Sequence, residues 1–191
     1  MIHSLLDAAV AEQCVAAWGD RLRTPWDVVA MVREHPAVFL DPVGIVSMAG
    51  FLRGFGLAGG GQSADSRPPW PRFVEWLAVQ AGHRGEVPGL ARLLLDEVGG
   101  DDEGALARLW EQIDAWTATP PRCVAEAVPT TWRAPRGTPP ERVRLWSTVD
   151  GASWLTAAPG GELGPLRPSA DIVRRYAAMA LGVPEDAWIN L

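Results

Sequence analysis

Asp101-Asp102-Glu103-Gly104-Ala105-Leu106-Ala107-Arg108-Leu109-Trp110-Glu111-Gln112-Ile113-Asp114-Ala115-Trp116 is the stretch that decides the fold. Leu106, Leu109, Trp110, Ile113 and Trp116 recur at intervals of three and four, which lines them up on one stripe of an α-helix. The acids at its start sit where the positive end of the helix dipole favours carboxylates, worth roughly 0.3–1 kcal/mol per well-placed charge. The spacing predicts an amphipathic helix that starts at Asp101 and carries its apolar stripe to Trp116.

Working toward the N-terminus, Gly99-Gly100 closes a preceding helix that Pro88 opens and Leu90, Leu93, Leu94 and Val98 line. A short helix is predicted over 71–80, with Phe73, Trp76 and Leu77 on one face. Gly59-Gly60-Gly61-Gln62-Ser63-Ala64-Asp65-Ser66 reads as a flexible loop. Asp41-Pro42 is taken as the start of a helix reaching Leu57. Its Gly44, Gly50, Gly54 and Gly56 each cost up to about 1 kcal/mol against Ala in a helix interior, so close packing against another backbone is expected there. Thr24-Pro25-Trp26-Asp27 carries an N-cap, a first-turn proline and an acid near the dipole, and that helix should stop by His35 because Pro36 follows. Leu5, Leu6, Ala9, Val10, Cys14, Ala17 and Trp18 predict a helix over 4–18, with Cys14 a buried thiol.

Toward the C-terminus the composition changes. Pro120, Pro121, Pro129, Pro135, Pro139 and Pro140 forbid a long helix between 119 and 141. A crossing segment is expected, with a short strand around Cys123–Val128. Val143, Leu145 and Val149 alternate with polar residues, and Asp150-Gly151 then supplies a hairpin turn before Trp154-Leu155. Ser147 to Trp154 is similar to the Asp-box hairpin of sialidase-like propellers, but its Asp comes one position late in a single copy, so it reads as a hairpin only. Pro168-Ser169 and Asp171 open a last helix through Ile172, Val173, Tyr176 and Ala180, ended at Gly182. The tail 183–191 is expected to dock Trp188 and Ile189 on the core. The fold class is therefore mainly α. A single helical body of about six helices spans 1–118. A Pro-rich crossing segment, a small β-hairpin and a C-terminal helix, packed on that body, make up 119–191.

The charge narrows the function. The chain has 17 basic and 23 acidic residues for a net charge of −6, and every basic residue is an arginine. Residues 1–118 hold 16 of the acids against 9 arginines, whereas 119–191 holds 7 against 8. An acidic surface repels phosphate backbones, so nucleic acid is not an expected partner, and the first part is suited to a basic one. An arginine-rich, lysine-free composition points to a GC-rich bacterial source. The N-terminus lacks a basic region before an apolar run, and the apolar stretch 43–52 is too short to span a bilayer, so no membrane association and a cytoplasmic location are expected. Two cysteines, Cys14 and Cys123, are too few for a disulfide scaffold.

Chemistry-bearing patterns are sparse. His3, His35 and His83 lack i,i+4 spacing and adjacent cysteines, so no metal site is predicted. No Gly-x-Ser-x-Gly elbow is present, and the Gly59-Gly60-Gly61 run lacks the Gly-Lys-Ser/Thr that would hold a phosphate. No catalytic residue and no cofactor are expected, and the reading leans away from an enzyme. Two features remain as candidate sites. Asp96, Glu97, Asp101, Asp102 and Glu103 form an acidic patch beside their capping role. Among ten tryptophans against one tyrosine, Trp132, Trp146 and Trp154 are candidates to line an apolar pocket.

Three apolar motifs carry a family resemblance. His35-Pro36-Ala37-Val38-Phe39-Leu40 stands against an Arg-Pro-x-Met-Tyr-Leu pattern. Phe51-Leu52-x-Gly54-Phe55-x-x-Ala58 stands against Phe-Leu-x-Gly-Tyr-x-x-Ala. Phe73-x-x-Trp76-Leu77 and Leu109-Trp110-x-x-Ile113 look like the closing helices. Through them residues 24–118 resemble an uncharacterised family of small helical bacterial proteins, some of which look like immunity proteins kept beside toxins. His35 and Phe39 replace the Arg and Tyr of the first motif, residues 119–191 fall outside the resemblance, and no catalytic residue comes with it. The leading expectation is a non-enzymatic protein-binding module, of the immunity type, that occludes a basic partner. The alternatives are a small-molecule-binding or accessory protein of a biosynthetic pathway and a homo-oligomeric scaffold built on the Gly-rich helix 42–57.

Overall fold

The computed structural model describes residues 22–57, 70–83, 87–129, 132, 139–158 and 161–191. The expected helix over 4–18, with Cys14, and the Gly-rich loop 59–66 lie outside the described residues. The chain divides into two compact units, one made of residues 1–74 and 86–114, the other of 75–85 and 115–191. The division falls inside the helices Trp70–Gln80 and Asp102–Ala118, so residues 75–85 group with the C-terminal part.

In the first unit, α1 (Pro25–Glu34) begins with the capping box its sequence specifies. Thr24 Oγ1 accepts from the Asp27 N–H at 3.3 Å and the Asp27 carboxylate accepts from the Thr24 N–H at 2.8 Å. It stops at His35 as expected, but Pro36 then opens a further helical turn, α2 (Pro36–Phe39), because a proline suits a first-turn position as well as it ends the preceding helix. α3 (Ile45–Leu57) packs against α1 and α5 (Leu90–Glu97), and α4 (Trp70–Gln80) contributes its first turns. α6 (Asp102–Ala118) buries Leu106, Leu109 and Ile113 in this unit. The motif residues Leu40, Leu52, Phe73 and Leu109 are buried, and Phe39 and Phe51 lie 6.2 Å apart. Trp26, Trp70 and Phe73 form an aromatic cluster with centroids 4.8–5.3 Å apart.

Two expectations about α3 are corrected. The helix begins at Ile45, and Asp41-Pro42 is a cis peptide ahead of it rather than its cap. Gly50, Gly54 and Gly56 are exposed, and a Cβ built there meets nothing within 4 Å among the described residues, so these glycines do not mark a close backbone approach. The crowded glycine is Gly44, whose Cβ would collide with the Asp102 carboxylate.

The second unit is built on an antiparallel sheet of β1 (Arg122–Ala127), β2 (Arg142–Ser147), β3 (Ser153–Ala158) and β4 (Ile189–Asn190), in the order β3-β2-β1-β4. The predicted hairpin is β2–β3, paired from Arg142↔Ala158 to Ser147↔Ser153 around the Asp150-Gly151 turn. The β element is thus larger than a small hairpin. β1 is the strand expected around Cys123–Val128, here paired on both sides, and β4 is two residues long with both side chains exposed. A bulge at Val124 shifts the register of β1 on β2.

Alternation sorts the side chains to two faces. Ala125, Ala127, Val143, Leu145 and Leu155 form one core with Val173, Ala177, Leu181 and Val183 of the last helical segment. That segment is α7 (Ala170–Tyr176), capped by Ser169, continued by the π-turn Ala177–Leu181 and closed by Gly182 at φ 73°. Trp188 packs on this core as expected. Ile189 does not: it pairs with Glu126 on the opposite face and is 67% exposed.

Candidate functional site

The first candidate is the corner between α5 and α6. Gly99 and Gly100, at φ 71° and 91°, make the turn that only glycine enters without strain. The acids around it divide by what they bind. Glu97 pairs with Arg108 at 2.6 Å, and Arg108 also reaches Glu111 at 2.9 Å. Asp102 Oδ1 accepts from the Val46 N–H at 3.0 Å, capping α3 from another helix. Asp96 approaches Arg92 only to 3.8 Å, with both side chains more than 60% exposed, a geometry of little energetic weight. Asp101 and Glu103 are exposed, and no hydrogen bond or ion pair reaches their carboxylates among the described residues. Of the five predicted acids, Glu97 and Asp102 serve the fold, Asp101 is exposed but lies back over Gly104 of its own helix, and Asp96 and Glu103 are exposed.

The three tryptophans proposed to line a pocket are not brought together. Trp146 and Trp154 are opposite each other on β2 and β3, stacked 6.3 Å apart, on the sheet face away from α7. Trp132 packs instead against the core on the α7 side. Trp146 is half-buried and donates to Thr156 Oγ1 at 3.0 Å, and Trp154 is buried.

Beside that pair lies a charged cluster that sequence reasoning missed. Glu126 accepts from Arg144 at 2.7 Å and from Arg142 at 3.0 Å. These contacts, Arg144 first, hold its carboxyl below the usual glutamate range. Its only sequence signal is that Glu126 has the outward parity of β1, which cross-strand pairing turns into a contact. Cys123, on the same face opposite Trp146, has its thiol pushed up chiefly by burial, with the Glu126 charge adding. In the helical unit Arg33 grips Asp114 with two bonds of 2.6 and 2.7 Å, holding that carboxyl down, and lies 5.8 Å from the Trp110 ring.

An open groove of about 410 Å³ lies at the ends of β1 and β2, lined by Arg122, Val124, Ser147 and Val149 with Ala118 and Pro120. None of the three candidate tryptophans lines it. Among the described residues no three His, Cys, Asp or Glu side chains are grouped so as to hold a metal ion, and no helix is long and apolar enough to cross a membrane.

No family model matches the chain, and neither a curated protein nor a solved structure matches it.

Proposed function

We propose that the chain is a non-enzymatic protein-binding module, of the immunity type, that occludes a basic partner through the α5–α6 corner. One observation supports this most: Asp96, Asp101 and Glu103 are exposed beside a glycine-defined turn, while the neighbouring Glu97 and Asp102 are consumed inside the fold. Carboxylates not committed to a close ion pair inside the fold can pair with a partner's arginine or lysine, and they steer its approach. The acid excess of residues 1–118 and the family resemblance of 24–118 favour the same reading. It carries with it a bacterial, cytoplasmic setting and no role in nucleic-acid binding. The test is a salt series on the partner complex of the wild type and of D101K/E103K: binding that weakens with salt and is lost on charge reversal supports the module, and binding indifferent to both refutes it.

A second reading, small-molecule binding, is favoured by the groove at the β1 and β2 ends, in place of a tryptophan-lined pocket.

A further inference from the structure

The hydrogen-bond donors around the groove point to one kind of ligand. Three hydroxyls border it, and each has spent its proton inside the fold. Thr119 donates to the Ala115 carbonyl at 2.9 Å. Thr148 donates to the Asp150 carboxylate or, at 3.1 Å, to the Ala152 carbonyl. Ser153 gives its proton to the Gly151 carbonyl at 2.8 Å, so in the 2.8 Å contact between Ser147 and Ser153 it is Ser147 that donates. The remaining donor on the lining side chains is Arg122, whose exposed guanidinium has no ion pair or hydrogen bond among the described residues. Its counterparts on the sheet, Arg142 and Arg144, are both committed to Glu126.

The walls around that cation are apolar, from Ala118, Pro120, Val124 and Val149, and Val149 is 81% exposed. A volume of about 410 Å³ falls in the range of small-molecule sites. A single guanidinium matches one carboxylate bidentately, and with no second cation among the described lining residues the site does not favour a dianion. We infer that the groove binds a small amphiphilic monocarboxylate, with the carboxylate on Arg122 and the apolar body against Val124 and Val149. This rests on the small-molecule reading and is independent of the partner corner.

The test is titration of the full ¹⁵N-labelled chain with octanoate, and with octanol as the uncharged analogue of the same tail, followed by amide shifts. Saturable shifts at Arg122, Val124 and Val149 are expected for octanoate. Affinity should fall by about fivefold in R122Q, as for a solvent-exposed charge pair, and further in V149D, which sets a like charge on an already exposed position. Equal affinity for octanol and octanoate, or for R122Q and wild type, would overturn the carboxylate assignment while leaving a small-molecule site. Absence of saturable shifts at these residues with either probe would overturn both.

Discussion

Asp102 accepts, through Oδ1, a hydrogen bond from the backbone N–H of Val46, 56 residues away in sequence, at 3.0 Å. An acid that opens one helix therefore caps another, and Gly44 is a glycine because a Cβ there would strike that carboxylate. D102A should lower the stability of the helical unit by about 1–2 kcal/mol, the usual cost of a lost cap. G44A should also destabilise, and the D102A/G44A double variant should cost less than the sum, since removing the carboxylate makes room for the methyl group. Urea unfolding followed by far-ultraviolet circular dichroism measures all three. Additive losses would contradict the contact.

Glu126 predicts how the sheet responds to acid. Its folded pKa lies below the unfolded value of about 4.3, so near that pH the unfolded chain binds more protons than the folded one. The Arg144 and Arg142 contacts therefore contribute fully above the ordinary glutamate pKa and are lost as pH falls through the folded value. E126Q should flatten the decline of the urea midpoint between pH 5 and pH 3, an interval set around that reference value. D114N should do the same through the loss of Arg33 in the helical unit. A slope unchanged in both variants would refute the pairing.

The β2–β3 turn is tied to α4 by Asp150, which accepts from the Trp76 indole N–H at 2.9 Å and from Gln80. Trp76 is 8% exposed, so D150A removes the carboxylate that accepts from a buried indole N–H, at a cost of about 1–3 kcal/mol. Q80A, at an exposed position, should cost less. Thermal unfolding of the two variants separates the contributions, and equal losses would mean that the indole finds another acceptor.

Cys123 should behave as a sluggish thiol. Its raised pKa leaves little thiolate at neutral pH, and the thiolate is the reactive form. In a C14S background, the reaction with Ellman's reagent at pH 8 should be slower than that of free cysteine, and faster in E126Q, where the nearby negative charge is gone. Reaction as fast as free cysteine would place the thiol in a different environment.

Much of the helical architecture is legible in the chain, because capping and periodicity are local. Thr24-Pro25-Trp26-Asp27, the Leu106-to-Trp116 stripe and the Ser169-to-Gly182 segment carry their own start, face or stop signals. The hairpin was equally legible from Asp150-Gly151. What escapes sequence reading is set by partners distant along the chain. The cap of α3 comes from Asp102, so Asp41-Pro42 misleads. β4 exists only through its pairing with Ala125 and Glu126. The division of the acidic patch into structural and outward-facing carboxylates depends on Arg108 and Val46, neither of which a charge count weighs. Trp132 and the Trp146–Trp154 pair are placed on different faces by strand parity and by the course of the chain after β1.

The measurement that bears most directly on the binding reading is native mass spectrometry of the chain, purified gently from its own cells at low salt, beside D101K/E103K and D102A. The account predicts a one-to-one complex with a basic protein for the wild type, its loss in D101K/E103K, and its retention in D102A, whose carboxylate serves the fold. A wild-type chain that emerges bare, or a complex that survives the charge reversal, would contradict it.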